Sequence, residues 1–260
     1  MKTTPVNDLS VVVLYPELLG LYADRGNGLA LRHRARKRGI DVELIEVSVG
    51  DAIPESADIY LLGGAEDAAL LAAGDLIERS GGLKRAIAGG AVCMGVCAGF
   101  QLMSEVFAGP DGKPRPGLGL LDVRCGRLTG ERAVGEVVST AADPGLPMLG
   151  FENHQGDAVL GADARPLATV WVGVGNGHSR HEGAVQGNVV GTYLHGPVLV
   201  RNPHFADELI GKATGSSLPP VEDAAVDRLR RERYEDAAGP AVRREISALP
   251  GAGSGLIIGD

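Results

Sequence analysis

At residues 95–101 the chain reads Gly95-Val96-Cys97-Ala98-Gly99-Phe100-Gln101, and this stretch decides the fold class. The apolar residues 91–94 before it predict a short buried strand, and residues 102–107 after it have the spacing of a helix start. Small residues two positions before and two after the cysteine permit the sharp strand-to-helix turn called a nucleophile elbow. We therefore expect Cys97 at the end of a strand, facing the N-terminus of a helix.

An elbow of this kind indicates a covalent cysteine hydrolase. The first N–H groups and the positive dipole end of the helix favour a thiolate and provide donors for an oxyanion. A buried cysteine without chemistry is the alternative, because free cysteines are among the most buried residues. The Gly63-Gly64 turn after an earlier strand and His195 after a late one favour the functional interpretation.

The first third of the chain alternates between strand and helix patterns. A continuous β-branched run predicts a strand at residues 9–15, further strands are expected at 42–47 and 59–62, and helices are expected at 28–38, 68–79 and 83–88. Asn27 is the expected cap of the first helix, which should stop at Gly39. Strands separated by helices require a mostly parallel sheet, so we predict an open α/β fold with its sites at the carboxyl ends of the strands.

From Gly117 onward short strands with close turns follow one another, and they should extend the sheet or lie beside it. These strands are expected at residues 117–123, 135–140, 149–153, 168–174 and 185–193. Helices are expected at 202–214 and 221–237, the second charged, with a narrow apolar face of Val221, Ala225, Leu229 and Tyr234. We predict one domain over residues 1–214 and a C-terminal segment, 215–260, made of this helix and a Gly-rich tail, as a candidate partner-docking region.

Composition excludes several classes of protein. The 260 residues carry a net charge of −8, and the basic cluster at residues 32–38 is expected to be a solvated helix face, so nucleic acid is a poor partner. The sequence has no apolar run of bilayer-spanning length and no signal peptide, which predicts a cytoplasmic protein. Three cysteines form neither a disulfide framework nor a zinc-ligand pattern, so no metal is expected.

His195 is the candidate base for the thiol. It follows the apolar residues 188–194 and directly precedes Gly196-Pro197, which places it at the same edge of the sheet as Cys97. An imidazole can deprotonate the thiol and then protonate a departing amine, because its ordinary pKa lies near the working pH. A strand-end histidine that only bonds to the backbone is the alternative.

Taken together, these features resemble the class I (triad) glutamine amidotransferases, which have a flavodoxin-like α/β fold. The resemblance is carried by the Gly63-Gly64 turn, the elbow with Gln101 and the strand-end His195. Residues 15–27, 150–154 and 193–197 are similar to the cobyric-acid-synthase-like branch and, within it, to the GatD glutaminase subunits of lipid II isoglutaminyl synthase. The similarity extends over residues 9–212 of the chain.

The resemblance implies a mechanism in which Cys97 attacks the side-chain amide of glutamine and His195 gives a proton to the departing ammonia. Water then hydrolyses the γ-glutamyl thioester. Arg132 matches the family's glutamine-binding arginine, and Gln101 would line the pocket. The N–H of Ala98 and one N–H of the Gly63-Gly64 turn would hold the oxyanion.

The chain departs from the family pattern at Pro197, where class I enzymes carry a glutamate two residues after the histidine. Glu152 or Glu182 could orient His195 after folding, a partner chain could supply a carboxylate, or a Cys–His dyad could suffice. The missing glutamate motivates the hypothesis that activity depends on a partner.

Released ammonia needs an acceptor, and the sequence contains no phosphate loop of the G-x-x-x-x-G-K-[ST] type. The resemblance implies a heterodimer with a MurT-like, Mur-ligase-like synthetase that binds ATP and Mg²⁺ and amidates D-glutamate of lipid II to D-isoglutamine in peptidoglycan synthesis. This chain itself would need no cofactor. Ammonia donation to cobyrinic or cobyric acid, a γ-glutamyl cysteine hydrolase and a non-enzymatic subunit are the alternatives.

Overall fold

The computed structural model describes residues 9–22, 24–142, 145–177 and 179–248; the tail predicted at 249–260 lies outside them. The helices are α1 Gly26–Arg36, α2 Asp67–Ser80, α3 Gly82–Ala88, α4 Ala98–Met103, α5 Val198–Arg201, α6 Pro203–Thr214 and α7 Ala224–Ser247. The strands are β1 Leu9–Leu14, β2 Val42–Val47, β3 Ile59–Leu62, β4 Val92–Val96, β5 Val106–Ala108, β6 Pro114–Pro116, β7 Val123–Cys125, β8 Ala133–Ala141, β9 Pro147–His154, β10 Val159–Leu160, β11 Ala168–Val172, β12 His181–Glu182, β13 Ala184–Gln186 and β14 Val189–Thr192.

The central sheet has the strand order β13-β14-β4-β3-β1-β2, and its strands are parallel except at the β13 edge. Val11 and Val13 pack with α1 and α6 on one face, and Val12 and Leu14 pack with α2, α3 and α4 on the other. A strand buried on both faces has a nearly continuous apolar sequence, as β1 does apart from Ser10. The predicted α/β fold with a mostly parallel sheet is confirmed, and the carboxyl ends of β3, β4 and β14 lie side by side.

The later strands pair mostly antiparallel, as predicted, but β5 is parallel to β7 and β14 is parallel to β4. β13 extends the central sheet by pairing antiparallel with β14 across a turn at Gly187, whose φ is +57°, so the strand expected at 185–193 is two strands. Two further four-stranded sheets lie beside it, in the orders β12-β11-β8-β9 and β10-β7-β5-β6.

The chain after the elbow differs from the prediction. The helix begins at Ala98 and ends at Met103, and residues 106–108 form β5 rather than a helix. Residues 117–122 form no strand, because the N–H groups of Leu118, Leu120 and Leu121 donate to the carbonyls of Leu102 and Met103. These bonds satisfy the orphan carbonyls at the end of α4, so the segment is a cap for that helix.

The first helix also begins earlier than expected. α1 starts at Gly26, and the Asn27 side chain accepts a hydrogen bond from the Leu199 N–H at 3.0 Å instead of capping its own helix. The basic cluster is not simply a solvated face, because Arg34 and Arg38 both form ion pairs with Asp207 on α6. A local charge pattern in the sequence cannot predict ion pairs between residues so far apart in the chain.

α7 is longer than predicted and bends at Gly239, where φ is +62°. Tyr234 and Ala238 pack against β8 and β9, whereas Leu229 of the predicted apolar face is exposed. Arg230 is buried instead, because its guanidinium donates to the carbonyls of Arg201 and Pro147. No helix in the described part of the chain combines the length and apolarity needed to cross a membrane.

Candidate active site

Cys97 sits on a strained turn between β4 and α4. Its φ of 53° and ψ of −104° are outside the regions favoured by non-glycine residues, and its N–H donates to Thr192 O at 2.8 Å. The helix can pack this closely only because the flanking residues are glycines. A Cβ on Gly99 would lie 2.4 Å from Leu62 O, and one on Gly95 would lie 2.7 Å from Gly99. The predicted elbow geometry is therefore present at the sheet's carboxyl edge.

A polar cavity of about 150 Å³ opens in front of the elbow. The sequence-predicted residues that line it are Cys97, Gln101, Arg132, His195 and Gly64. Gly63 and Ala98 adjoin these residues in the chain, and Gly63 O accepts the Gly99 N–H at 3.1 Å. The structure thus gathers the predicted set around one cavity.

His195 is held in place from several sides. Its backbone N–H and carbonyl both pair with Phe151, at 2.8 and 3.1 Å, so the end of β14 is tied to β9. The imidazole is buried and stacks on the Phe151 ring, with centroids 5.3 Å apart. The Tyr22 ring meets it edge-on at 4.8 Å. The base is therefore fixed before any ligand arrives.

Asp24 is the functional residue that the sequence interpretation missed. Its Oδ2 lies 3.5 Å from His195 Nδ1, and both side chains are buried. The same oxygen accepts the Gly64 N–H at 2.8 Å, which fixes the carboxylate next to the imidazole. A carboxylate at this position orients the ring and stabilises its protonated form. Asp24 therefore places a carboxylate beside His195, although residue 197 is a proline.

The two glutamates considered for that role lie elsewhere. Glu152 accepts the N–H groups of Val174 and Gly175 at 2.8 and 2.9 Å. Glu182 accepts the Thr192 hydroxyl at 2.5 Å and the Tyr193 N–H at 2.9 Å. In the sequence, Asp24 lies within residues 15–27, which carry the family resemblance. No local pattern in that stretch assigns Asp24 a role.

Desolvation determines the protonation state of the Cys97 thiol. It raises the pKa of the Cys97 thiol to about 12, and the nearby Asp24 carboxylate acts in the same direction. The Ala98 N–H at the start of α4 and the Arg132 guanidinium act against this shift. The helix N-terminus therefore does not suffice to produce the expected thiolate, and the thiol needs a base such as His195 to be activated.

Arg132 faces the cavity from the start of β8. Its Nε donates to Asn153 Oδ1 at 2.5 Å, and its Nη2 donates to Asn153 O at 2.9 Å. Asn153 Nδ2 donates in turn to the Tyr22 hydroxyl. The guanidinium is thus oriented by β9 and by the loop before α1, while it stays open to a ligand.

The two predicted oxyanion donors differ in availability. The Ala98 N–H lies beside the Cys97 sulfur. The Gly64 N–H is already bonded to Asp24. A Cβ on Gly64 would also lie 3.0 Å from His195 Cε1, so the turn must stay small beside the imidazole.

Several known proteins have sequences similar to that of this chain. The family described as CobB/CobQ-like glutamine amidotransferase domain matches residues 10–203. The GatD subunit of lipid II isoglutaminyl synthase (glutamine-hydrolyzing) from Staphylococcus aureus strain N315 is 35% identical over 225 residues, which cover 85% of this chain and 91% of that protein. The GatD subunit from Streptococcus pneumoniae strain R6 is 33% identical and covers 90% and 93%, respectively. Cobyric acid synthase from Sphingopyxis alaskensis is 34% identical over 80% of this chain but only 42% of its own length.

Solved structures share the fold. A crystal structure of a glutamine amidotransferase superposes with a TM-score of 0.51 and 19% identity, covering 78% of this chain and 98% of that one. The glutaminase domain of Trypanosoma brucei CTPS with bound acivicin also gives a TM-score of 0.51, at 9% identity, and covers 84% and 98%.

Proposed function

Because this chain belongs to the CobB/CobQ-like glutamine amidotransferases, we propose that it is a glutaminase subunit that passes ammonia to a separate synthetase. One observation carries this proposal. The elbow thiol of Cys97 and the imidazole of His195, with Asp24 behind it, border the same cavity as the Arg132 guanidinium. That arrangement combines a nucleophile, an oriented base and a carboxylate-binding cation.

The first half of the reaction releases ammonia. His195 takes the thiol proton, and the sulfur of Cys97 attacks the side-chain amide carbon of glutamine. The Ala98 N–H stabilises the oxyanion that forms, a contribution worth about 10²–10³ in rate for each such donor in other hydrolases. The carbon–nitrogen bond breaks as His195 returns the proton to nitrogen, which leaves ammonia and a γ-glutamyl thioester on Cys97. A second donor from the Gly63-Gly64 turn would require Gly64 to release Asp24.

The second half restores the enzyme. His195 takes a proton from water, the resulting hydroxide attacks the thioester carbon, and the carbon–sulfur bond breaks. Glutamate leaves, and Cys97 recovers its proton from His195. Asp24 stabilises the imidazolium in both halves by holding it through Nδ1. The raised pKa of the Cys97 thiol keeps it protonated, and therefore a weak nucleophile, until the base acts.

Arg132 and Gln101 are the proposed glutamine-binding side chains. Arg132 would hold the α-carboxylate, because a planar guanidinium pairs with a carboxylate through two parallel hydrogen bonds. Gln101 lies on the first turn of α4 and lines the cavity between the sulfur and Gly156. With the α-carboxylate held at Arg132, the side-chain amide extends toward Cys97.

We propose that the ammonia acceptor is the α-carboxyl of D-glutamate in lipid II, activated by a MurT-like, Mur-ligase-like protein that binds ATP and Mg²⁺. This chain covers 91% and 93% of the two GatD subunits, whereas it covers 42% of a cobyric acid synthase. Full-length similarity favours the lipid II reaction over ammonia donation to cobyrinic or cobyric acid. This chain would use no cofactor of its own.

The test measures glutamate released from L-glutamine by the purified chain, alone and with the co-expressed Mur-ligase-like protein. Asp24 gives the chain its own orienting carboxylate, so we expect release by the chain alone and faster release in the complex. Cys97→Ser is the matched control and should abolish both. Equal rates with and without the synthetase would show that glutamine hydrolysis does not depend on the partner.

A second set of assays tests the acceptor and the amide donor. The complex supplied with ATP, Mg²⁺ and glutamine should amidate lipid II, and the synthetase alone should do so only with added ammonium. If the chain cleaves γ-glutamyl peptides and leaves glutamine intact, it is a γ-glutamyl cysteine hydrolase instead. If it cleaves neither, the family's activity does not extend to this chain.

A further inference from the structure

We propose that Tyr22 is a positioning residue that couples the carboxylate-binding Arg132 to the active-site cavity, which makes it a determinant of glutamine affinity. The inference rests on the proposed glutaminase function. Tyr22 has no part in the chemistry described above, yet it contacts both the binding side and the base side of the cavity.

On the binding side, Tyr22 acts through Asn153. The Tyr22 hydroxyl accepts a hydrogen bond from Asn153 Nδ2. Arg132 donates two hydrogen bonds to Asn153, from Nε to the side-chain oxygen and from Nη2 to the backbone carbonyl. The amide plane of Asn153 is therefore fixed at both ends, and its orientation decides where the guanidinium points.

On the base side, the Tyr22 ring packs against the wall that holds His195. Its edge meets the imidazole at 4.8 Å with an interplanar angle of 67°, and it meets Phe151 at 5.3 Å with an angle of 89°. Edge-to-face contacts of this kind favour one relative orientation of the rings. Tyr22 therefore borders the imidazole on one side while Phe151 stacks on it.

The backbone of Tyr22 shows that this placement is specific. Its φ of 54° is in the left-handed region, which costs a non-glycine residue about 1 kcal/mol or more. Tyr22 is 42% exposed as a residue, so core burial does not explain the strained conformation. The loop is anchored next to Tyr22 by the Leu21 N–H on Gly64 O at 3.1 Å, and two residues later it supplies Asp24. One short loop thus positions the base and, through Asn153, the cation.

The experiment is a double-mutant cycle on kcat and KM for glutamine with Tyr22→Phe, Arg132→Ala and the double variant. Tyr22→Phe keeps the ring contacts and removes the hydroxyl, so we expect KM to rise about three- to tenfold with kcat within about twofold. In the Arg132→Ala background the same change should have no further effect, because its route to the substrate is gone. Tyr22→Ala, which also removes the ring beside His195, should lower kcat as well.

Tyr234→Phe is the matched control, since it removes a buried tyrosine hydroxyl from α7 in a separate apolar cluster and should leave both constants unchanged. Additive effects of Tyr22→Phe and Arg132→Ala would overturn the coupling, as would an unchanged KM in Tyr22→Phe. Loss of kcat in Tyr22→Phe with KM unchanged would assign the hydroxyl to the base instead. A wild-type chain that fails to hydrolyse glutamine with its synthetase would refute the proposed function, and the inference would fall with it.

Discussion

Two histidine–carboxylate pairs lie near each other in this protein, and their geometry is nearly the same. Asp24 Oδ2 is 3.5 Å from His195 Nδ1, and Glu152 Oε2 is 3.5 Å from His154 Nε2. All four side chains are buried. Distance and burial alone would give the two pairs the same role.

The two pairs differ in the other hydrogen bonds that their members form. Both oxygens of Glu152 accept backbone N–H groups, and His154 Nδ1 is 2.8 Å from Gly156 O while its ring stacks flat on Tyr193 at 4.0 Å. Among the described residues, neither ring nitrogen of His195 has a hydrogen-bond partner. In the described part of the chain, the Glu152–His154 pair keeps one unbonded ring nitrogen, Nε2 of His154, whereas the Asp24–His195 pair keeps both ring nitrogens and Asp24 Oδ1 without a hydrogen-bond partner. Unbonded ring nitrogens alone do not identify a base, because both ring nitrogens of His204 also lack partners among the residues that the structure describes; His195 is the candidate because it also borders the cavity with Cys97.

Substitution of the two histidines should give the largest contrast. We expect His195→Gln to lower kcat for glutamine about 10²–10⁴-fold, because proton transfer to and from sulfur and nitrogen is lost. His154→Gln should lower kcat less than about tenfold and lower the Tm more than His195→Gln does, since its ring fills the space against Tyr193. Steady-state kinetics and thermal unfolding of both variants test this. Equal losses of kcat would show that both histidines act in the chemistry.

Substitutions of the two carboxylates, Asp24 and Glu152, should differ in their effect on kcat in the same direction as the two histidines, but by a smaller factor. Asp24→Asn keeps the shape but removes the charge that stabilises the imidazolium, so kcat should fall about 10²-fold. Glu152→Gln should change kcat only a few-fold and destabilise the fold, because an amide cannot accept both N–H groups of the loop after β11. A kcat for Asp24→Asn within threefold of the wild type would mean that Cys97 and His195 work as a dyad.

Glu182 forms no ion pair with a histidine among the described residues, and we expect its substitution to have the smallest effect. Burial raises its pKa to about 7, above the value of the unfolded chain. The native state then binds more protons than the unfolded state between pH 4.5 and 7, so the stability contributed by this group falls as pH rises through that window. The slope is at most about 1.4 kcal/mol per pH unit.

Glu182→Gln can still accept from Thr192 and Tyr193 and does not titrate. Urea unfolding at pH 5 and pH 8 should therefore show Glu182→Gln gaining stability relative to the wild type as pH rises. A constant difference between the two proteins across this range would exclude a raised pKa at Glu182.

The sequence patterns predicted the sheet, the elbow and the strand-end histidine because each is a local signal. An apolar run marks β1, small residues around Cys97 mark the turn, and a Gly-Pro stop marks the end at His195. Asp24 carries no such signal, since it lies in a loop and meets His195 only after the sheet has brought β3 beside β4 and β4 beside β14. The same holds for Arg230, whose burial depends on carbonyls from two distant segments.

The contact between Asp24 and His195 also sets when activity can arise as the chain is made. Asp24 leaves the ribosome early, Cys97 follows, and the imidazole arrives only after most of the chain has been synthesised. A growing chain therefore holds Cys97 and Asp24 but not His195, and we expect it to release no ammonia. If the chain were divided between β9 and β14, neither piece alone should hydrolyse glutamine. Glutamate release would then measure the reassembly of the two pieces.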